Sequence, residues 1–165
     1  MGVQHKHDMK AAPALGDTTF GLLSLLVVDD DAVQRGLIAG AAGKAGYEVT
    51  EAASCAEGIE LLRTRSFACV TLDLMLDDGD GQDVMKAMAE ANYQGPVIVI
   101  SGMSSERRRA ARQYARSLGM DLLQSFPKPI DLAALRISLA NLRSTMAGLP
   151  IVHSWGEVCG PRFER

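Results

Sequence analysis

The chain has 165 residues, a length that favours one domain, and 47% of them are hydrophobic while only 5% are aromatic, which predicts an aliphatic core. A net charge of −3 gives no reason to expect direct binding to nucleic acid or to a membrane surface. The three cysteines (Cys55, Cys69 and Cys159) form no CxxC pair, which disfavours a disulfide framework and a zinc site. Without a signal core or an apolar run of membrane-spanning length, the chain is expected in the reducing cytoplasm.

The two ends of the chain differ from its middle. Residues 1–21 are polar and aperiodic and are predicted to form a flexible leader, and residues 146–165 are interrupted by glycine and proline and are predicted to form a tail. Ile151 and Trp155 in this tail fit either a segment packed on the domain or the start of a connection to an output domain. Residues 22–145 are expected to form the domain.

Apolar runs in this domain alternate with helical patterns. Short continuous apolar runs predict strands that are buried on both faces. The predicted strands are Leu22–Val28, Tyr47–Ala52, Phe67–Leu72, Val97–Ile100 and Asp121–Phe126.

Cap residues and glycines mark the helices between these strands. Ser54 with Glu57 predicts a capping box, Asp131 predicts a further N-cap, and Gly46 and Gly119 predict helix stops. A loop rich in glycine and aspartate is predicted over Asp77–Gly81. The predicted helices are Ala32–Ala45, one that follows Ser54, one near Asp83–Ala91, Ser104–Leu118 and Asp131–Arg143.

Five strands that alternate with five helices predict an α/β fold, a doubly wound parallel sheet with helices on both faces. In such a sheet, ligands bind outside the carboxyl ends of the strands. The polar residues at those ends are therefore the candidate site, and they are Asp29, Asp30, Asp31, Asp73, Ser101 and Lys128.

Several carboxylates at one edge repel one another, and a hard divalent cation such as Mg²⁺ relieves that repulsion. A cation, a carboxylate, a hydroxyl and a lysine are also what phosphoryl transfer requires, because its catalysis is mainly positioning and charge neutralisation. The strand ends therefore predict phosphoryl-transfer chemistry with Mg²⁺.

The order of these motifs resembles that of the receiver domains of two-component response regulators. The resemblance extends over Leu22–Arg143 and implies a flavodoxin-like sheet with strand order 2-1-3-4-5. It is carried by Leu25-Leu26-Val27-Val28-Asp29-Asp30-Asp31, Leu72-Asp73-Leu74-Met75-Leu76, Asp80-Gly81, Val99-Ile100-Ser101-Gly102 and Lys128-Pro129.

The resemblance implies a role for each matching residue. Asp73 would be the phosphoacceptor, Ser101 would hydrogen-bond a phosphoryl oxygen beside Gly102, and Lys128, before a cis Pro129, would pair with the carboxylate and then with the phosphate. The Mg²⁺ ligands would be Asp30, Asp73 and the backbone carbonyl of Met75, with Asp29 acting through a water. Asp31 would start the first helix.

By the same resemblance the chain would be a signalling domain that catalyses only its own phosphorylation and dephosphorylation. The phosphoryl group would come from a phosphohistidine of a sensor kinase or a phosphotransfer protein, and phosphorylation would switch the surface formed by the fourth helix, fifth strand and fifth helix. A stand-alone receiver is the default expectation; the alternative is the input domain of a larger regulator, for example one of cyclic-di-GMP turnover. A phosphorylation-dependent homodimer is left open.

The sequence departs from the family pattern at three places. Asp77 stands where a proline is usual, and Met75 places an apolar side chain beside the attacking water, which predicts a long-lived aspartyl phosphate. Ser125 occupies the place of the aromatic switch residue, and Phe126 lies one residue later, where alternation points it to the opposite face. A bulge at Pro127 is the alternative that would restore the register.

A phosphatase of the haloacid dehalogenase type is a rival interpretation from another class. In it Asp29 would be the nucleophile and Asp31 the general acid, with Ser101 and Lys128 in supporting roles. Such enzymes need a further pair of acids on a strand after the lysine, which the sequence lacks. This interpretation also leaves Asp73 without a role.

The predicted fourth helix is rich in arginine. Two interpretations stay open: a solvated face whose aliphatic stems cover apolar surface, or a surface that binds a partner. The arginines concerned are Arg107, Arg108, Arg109, Arg112 and Arg116.

Overall fold

A computed structural model describes residues 22–120 and 122–148. The predicted leader, Asp121 and the part of the predicted tail beyond residue 148 lie outside these described residues. Among the helices of the described ranges, none has the length and apolar character needed to cross a membrane.

The five main strands and five helices alternate along the chain, as predicted. The strands are β1 (Leu23–Val28), β2 (Tyr47–Ala52), β3 (Cys69–Leu72), β4 (Val97–Ser101) and β5 (Leu122–Pro127). The helices are α1 (Ala32–Lys44), α2 (Cys55–Thr64), α3 (Gly81–Glu90), α4 (Ser105–Ser117) and α5 (Leu132–Met146).

The five strands form one sheet in the order β2-β1-β3-β4-β5, and every neighbouring pair is parallel. This confirms the predicted doubly wound α/β fold and its order. Because all the strands run the same way, their carboxyl ends meet at one edge of the sheet, where the candidate site was expected.

Caps and glycine stops hold the helix ends where the sequence placed them. Ser54 accepts a hydrogen bond from the amide of Glu57 at 3.1 Å, while the Glu57 carboxylate accepts one from Ala53 at 2.7 Å, one residue before the expected partner. Gly46 and Gly119 have φ angles of +90° and +75°, a region that suits glycine at the end of a helix.

Two apolar clusters cover the two faces of the sheet. The face under α1 and α5 is filled mainly by aliphatic side chains together with Tyr47 and Phe126, and the face under α2, α3 and α4 is mainly aliphatic and methionine-rich, with Phe67. Alternate residues of β1 supply both clusters, Leu25 and Val27 to the first and Leu26 and Val28 to the second. Both faces are therefore buried, as the continuous apolar run predicted.

Several predicted boundaries were wrong. The third strand begins at Cys69 rather than Phe67, and α5 continues past Arg143 to Met146, into the first residue of the predicted tail. The loop predicted over Asp77–Gly81 belongs to a two-stranded hairpin that pairs Met75–Leu76 with Gly79–Asp80. Helix α3 begins at Gly81 because Asp80, and not a later residue, is its N-cap.

The bulge considered at Pro127 lies elsewhere. Val97 pairs with Leu122 but Ile98 pairs with Gln124, so the extra residue in β5 is Leu123. After the bulge the pairing is regular, and Ser125 and Phe126 point to opposite faces.

Candidate functional site

Two buried carboxylates and one ammonium meet at the carboxyl edge of the sheet. Asp29 follows β1 and Asp73 follows β3, and their side chains are 1% and 5% exposed. The Nζ of Lys128, just beyond β5, lies 2.8 Å from Oδ2 of Asp29 and 2.7 Å from Oδ2 of Asp73. The structure therefore brings these three residues together from the ends of three strands.

Local backbone turns hold both buried carboxylates. Oδ1 of Asp29 accepts a hydrogen bond from the amide of Asp31 at 2.9 Å, and Oδ1 of Asp73 accepts one from Met75 at 3.0 Å. Each carboxylate thus uses one oxygen for the backbone and the other for Lys128, which satisfies the groups that burial would otherwise leave unpaired.

Asp30 completes a cluster of three carboxylates. It is partly exposed, and its Oδ2 accepts a hydrogen bond from the amide of Asp77 at 2.9 Å. One oxygen from each of Asp29, Asp30 and Asp73 lies within 4.8 Å of the other two. An all-oxygen set of this kind fits a hard cation such as Mg²⁺, and Met75, whose carbonyl was predicted as a further ligand, begins the hairpin two residues after Asp73.

The charges at this edge do not balance. Burial raises the pKa of Asp29 although the neighbouring Lys128 opposes this shift. Burial lowers the pKa of Lys128, but its hydrogen bonds to Asp29 and Asp73 outweigh this effect and the pKa is raised. The charge of Asp30 raises the pKa of Asp77. One ammonium thus faces a cluster of carboxylates, an environment that favours a bound divalent cation.

Ser101 lies at the same edge, at the end of β4. Its side chain is fully buried, and its Oγ accepts a hydrogen bond from the amide of Met103 at 3.4 Å. Its carbonyl accepts a hydrogen bond from the amide of Lys128 at 3.2 Å, which ties the end of β4 to the lysine. Beside it, an added side chain at Gly102 would meet open space.

Two further features lie where the sequence placed them. Asp31 caps α1, since its Oδ1 accepts hydrogen bonds from the amides of Val33 at 2.8 Å and Gln34 at 3.0 Å. The hydrogen bond from Gln34 lowers the pKa of the Asp31 carboxyl. The peptide bond between Lys128 and Pro129 is cis.

Sequence reasoning missed two residues that support the site. The carboxylate of Asp78 accepts hydrogen bonds from Cys55 at 2.7 Å and Ala56 at 3.0 Å, which fastens the hairpin to the first turn of α2. The guanidinium of Arg35 donates to the carbonyl of Asp29 at 2.9 Å. The Asp78 contact joins residues 23 positions apart, so no local pattern could have indicated it.

The aromatic residue near the end of β5 lies on the face under α1 and α5. Phe126 is 8% exposed and packs in the same cluster as Ile100 and Leu135. Ser125 faces α4 instead, so no aromatic ring from β5 fills that side of the described structure. This agrees with the simple alternation expected from the sequence.

Comparison with known proteins identifies relatives of the same kind. The family model described as the response regulator receiver domain matches residues 25–140. The acid tolerance regulatory protein ActR of Rhizobium meliloti is 39% identical over 79 residues, which cover 48% of this chain and 41% of ActR. The photosynthetic apparatus regulatory protein RegA of Cereibacter sphaeroides is 37% identical over 79 residues, which cover 48% of this chain and 43% of RegA.

Solved structures agree with this match. A response regulator from Colwellia psychrerythraea is 28% identical with a TM-score of 0.65, and the match covers 75% of this chain and 98% of that one. The receiver domain of the Francisella response regulator 1452 is 25% identical with a TM-score of 0.62, and the match covers 75% and 98%. The chain matches less than half the length of the two curated relatives. Since the family model matches well over half of its residues, this chain belongs to the response regulator receiver family.

Proposed function

We propose that the chain accepts a phosphoryl group on Oδ of Asp73 from a phosphohistidine. The observation that supports this most is the contact between Asp73 and Lys128, 2.7 Å apart, with Asp29 in contact with the same ammonium. The buried carboxylate of Asp73 can act as the nucleophile, and its product is an acyl phosphate. The neighbouring ammonium of Lys128 would stabilise the negative charge of that product.

In the proposed transfer, a carboxylate oxygen of Asp73 forms the new O–P bond while the N–P bond of the phosphohistidine breaks. The electron pair of that bond returns to the imidazole nitrogen, which then takes a proton from solvent. Lys128 exchanges its contact with the carboxylate for one with a phosphoryl oxygen, and the Ser101 hydroxyl donates to another oxygen. The donors of the phosphoryl group are the partners of receiver domains in general, histidine kinases or phosphotransfer proteins.

Asp29, Asp30, Asp73 and the carbonyl of Met75 are the groups that we propose to hold Mg²⁺, with Asp29 acting through a water. When bound, the ion neutralises charge that develops on the phosphoryl oxygens. The support from this chain is its donor set: three carboxylates with oxygens within 4.8 Å of one another and only one ammonium among them. Such a set favours a doubly charged, oxygen-binding ion.

Chemical phosphorylation tests the proposal directly. The purified chain is incubated with phosphoramidate and Mg²⁺, and intact mass spectrometry is expected to find one added phosphoryl group, which peptide mapping assigns to Asp73. Asp73→Asn and an excess of chelator should each prevent the labelling. Glu48→Gln, a change at an exposed residue of β2, is the matched control and should be labelled like the parent chain.

The same experiment distinguishes the proposed function from the phosphatase interpretation. A label on Asp29 would contradict the proposed function and support that rival. In the structure, the carboxylate of Asp31, its would-be general acid, is used to cap α1. A chain that stays unlabelled with donor and Mg²⁺ would contradict both interpretations.

Met75 gives a second test, of phosphate lifetime. Its side chain is 52% exposed and apolar, so it offers no hydrogen bond to a water that attacks the acyl phosphate. We expect Met75→Asn to shorten the lifetime roughly fivefold, the equivalent of one hydrogen bond of about 1 kcal/mol. An unchanged rate of phosphate loss, measured by mass spectrometry against Met75→Leu, would contradict this.

The relatives suggest what phosphorylation controls. ActR and RegA are named as regulatory proteins, of acid tolerance and of the photosynthetic apparatus, and both are longer than the matched segment. We propose that phosphorylation of Asp73 changes the surface formed by α4, β5 and α5 for a regulatory output. Action as a stand-alone receiver, as opposed to the input domain of a larger regulator, stays a prediction.

A further inference from the structure

A cleft of about 220 Å³ lies between α4 and β5, on the face where Ser125 takes the place of an aromatic side chain. Val99 of β4 pairs with Ser125 and lies at the bottom of this cleft. The polar lining of the cleft consists of serine and arginine side chains, and no acidic residue of the described ranges contributes to it. The polar lining residues are Ser105, Arg108, Arg109, Arg112 and Ser125.

The Ser125 hydroxyl is the first feature of this cleft that indicates ligand binding. Its Oγ is buried and has no hydrogen-bond partner among the described residues. A buried hydroxyl without a partner is unfavourable, so a group that accepts its proton would stabilise the cleft. The hydroxyl belongs to one of the residues that line the cleft.

The arginines are the second such feature. Helix α4 has five arginines and one glutamate in a chain whose net charge is −3. Arg108 donates to the carbonyl of Met103 and is thereby fixed as a wall of the cleft. The guanidinium groups of Arg109 and Arg112 form no ion pair with any carboxylate of residues 22–120 and 122–148. Two arginines of the lining thus have no anionic partner among the described residues.

We propose that this cleft binds a small molecule through a phosphate or diphosphate group. All the polar side chains of the lining are able to donate hydrogen bonds and none of them is a carboxylate, so an anion with several acceptor oxygens suits this lining best. Phosphate meets this requirement better than a carboxylate, which has only two oxygens. The cleft also opens at the first turns of α4, where the helix dipole favours negative charge.

A titration with pyrophosphate tests this site, and the chemical shifts of the ¹⁵N-labelled chain are monitored by NMR. Chelator is present so that no cation occupies the carboxylate cluster, and the result therefore does not depend on the proposed function of Asp73. We expect saturable shifts at the amides of Val99, Ser105 and Ser125. Shifts confined to the Asp29–Asp73 edge, or no saturable shifts at all, would overturn the proposal.

Two variants separate the cleft from general attraction to positive charge. Ser125→Phe keeps every arginine but fills the cleft, and we expect it to weaken pyrophosphate binding by about tenfold or more, the effect of losing at least one charged hydrogen bond. The double variant Arg109→Gln/Arg112→Gln should weaken it at least as much. The matched control, Arg107→Gln/Arg116→Gln, removes two arginines of the same helix outside the cleft and should change binding less than either.

If Ser125→Phe binds like the parent chain, or if the control weakens binding as much as the cleft variant, the anion is attracted by the whole helix and the proposal fails. A parallel titration with ADP identifies the source of the phosphate. Tighter binding of ADP than of pyrophosphate assigns the site to nucleotides, and equal binding assigns it to the diphosphate group alone; either result supports an anion site.

Discussion

The two faces of the sheet differ most at β5. On the face under α1 and α5, Phe126 fills the space between strand and helix and is 8% exposed. On the face under α4, the neighbouring Ser125 leaves a cleft and a buried hydroxyl without a partner among the described residues. We call the face under α1 and α5 the closed face, because Phe126 fills it, and the face under α4 the open face, because Ser125 does not.

The difference teaches how register determines function in such a sheet. The bulge at Leu123 sets which residue of β5 pairs with Val99, and from there the alternation is fixed. The closed face supplies stability, while the open face exposes polar groups beside the end of β4, which carries Ser101. The predictions below test this division, from the largest expected effect to the smallest.

Removal of the aromatic ring should have the largest effect. Phe126→Ala leaves a cavity in a packed apolar cluster, and we expect it to lower the free energy of unfolding by about 3 to 5 kcal/mol. Urea denaturation at pH 7 measures this. Leu123→Ala, a change at a residue of the same strand that is 51% exposed, is the control and should cost much less. Equal losses in the two variants would mean that Phe126 contributes no more packing than an exposed residue of the same strand.

Lys128 follows β5 and belongs to neither face, since it reaches the carboxylates at the edge. Lys128→Ala leaves Asp29 and Asp73 buried without their ammonium, which should lower the free energy of unfolding by about 3 kcal/mol. Added Mg²⁺ should restore more stability to this variant than to the parent chain, because the ion replaces the lost charge.

Thermal unfolding with and without Mg²⁺ measures the effect of Lys128→Ala. Lys86→Ala, a change at an exposed residue of α3, serves as the control. If the ion stabilises neither variant, the carboxylate cluster does not bind it and the proposed Mg²⁺ site is wrong; equal stabilisation of both would mean that the ion does not replace the charge of Lys128.

Most of the fold could be predicted from the sequence because its signals are local. Tyr47–Ala52 is a strand with the predicted bounds, and Ser54 and Asp131 cap the predicted helices. Each of these depends on an apolar run or on a cap within a few residues. The hairpin at Met75–Asp80 is not predictable from the sequence, because two-residue strands have no periodicity to detect.

The residues of the candidate site could be predicted from the sequence, but the contacts that hold them in position could not. Asp29, Asp73 and Lys128 each follow an apolar strand directly, and parallel strands bring such positions to one edge. The bulge at Leu123 and the bond from Asp78 to α2 depend on pairings between distant segments, which one sequence without relatives does not encode locally.

The closed face should also contribute to the response to alkaline pH. Burial raises the pKa of Cys69 from 9.0 to about 12, so the thiol stays neutral in the folded chain while it ionises in the unfolded chain. Above pH 9 the unfolded state then binds fewer protons than the folded state. The contribution of this thiol to the free energy of unfolding is therefore fully present below pH 9 and is lost as the pH rises toward 12. This thiol alone contributes a slope of at most about 1.4 kcal/mol per pH unit.

Urea denaturation of the parent chain and of Cys69→Ala between pH 8 and 11 measures this contribution. The variant is expected to be less stable at pH 8 but to have a flatter profile, because its slope lacks the titration of one group. Parallel profiles would show that the thiol is not protected from solvent and that this face is less dry than its packing indicates.

The smallest effect is expected on the open face and has the opposite sign. Ser125→Ala removes a buried hydroxyl that has no partner among the described residues, so the free energy of unfolding should rise by up to about 1 kcal/mol. Ser54→Ala removes a hydroxyl that caps α2 and should lower it by about 1 kcal/mol. Urea denaturation distinguishes the two signs.

Because a phosphate ligand would satisfy the Ser125 hydroxyl, the gain in the free energy of unfolding from Ser125→Ala should shrink when pyrophosphate is present at saturation. A loss of stability in Ser125→Ala without ligand would mean that the hydroxyl already has a partner and that the cleft is not open in the way the comparison of the two faces requires.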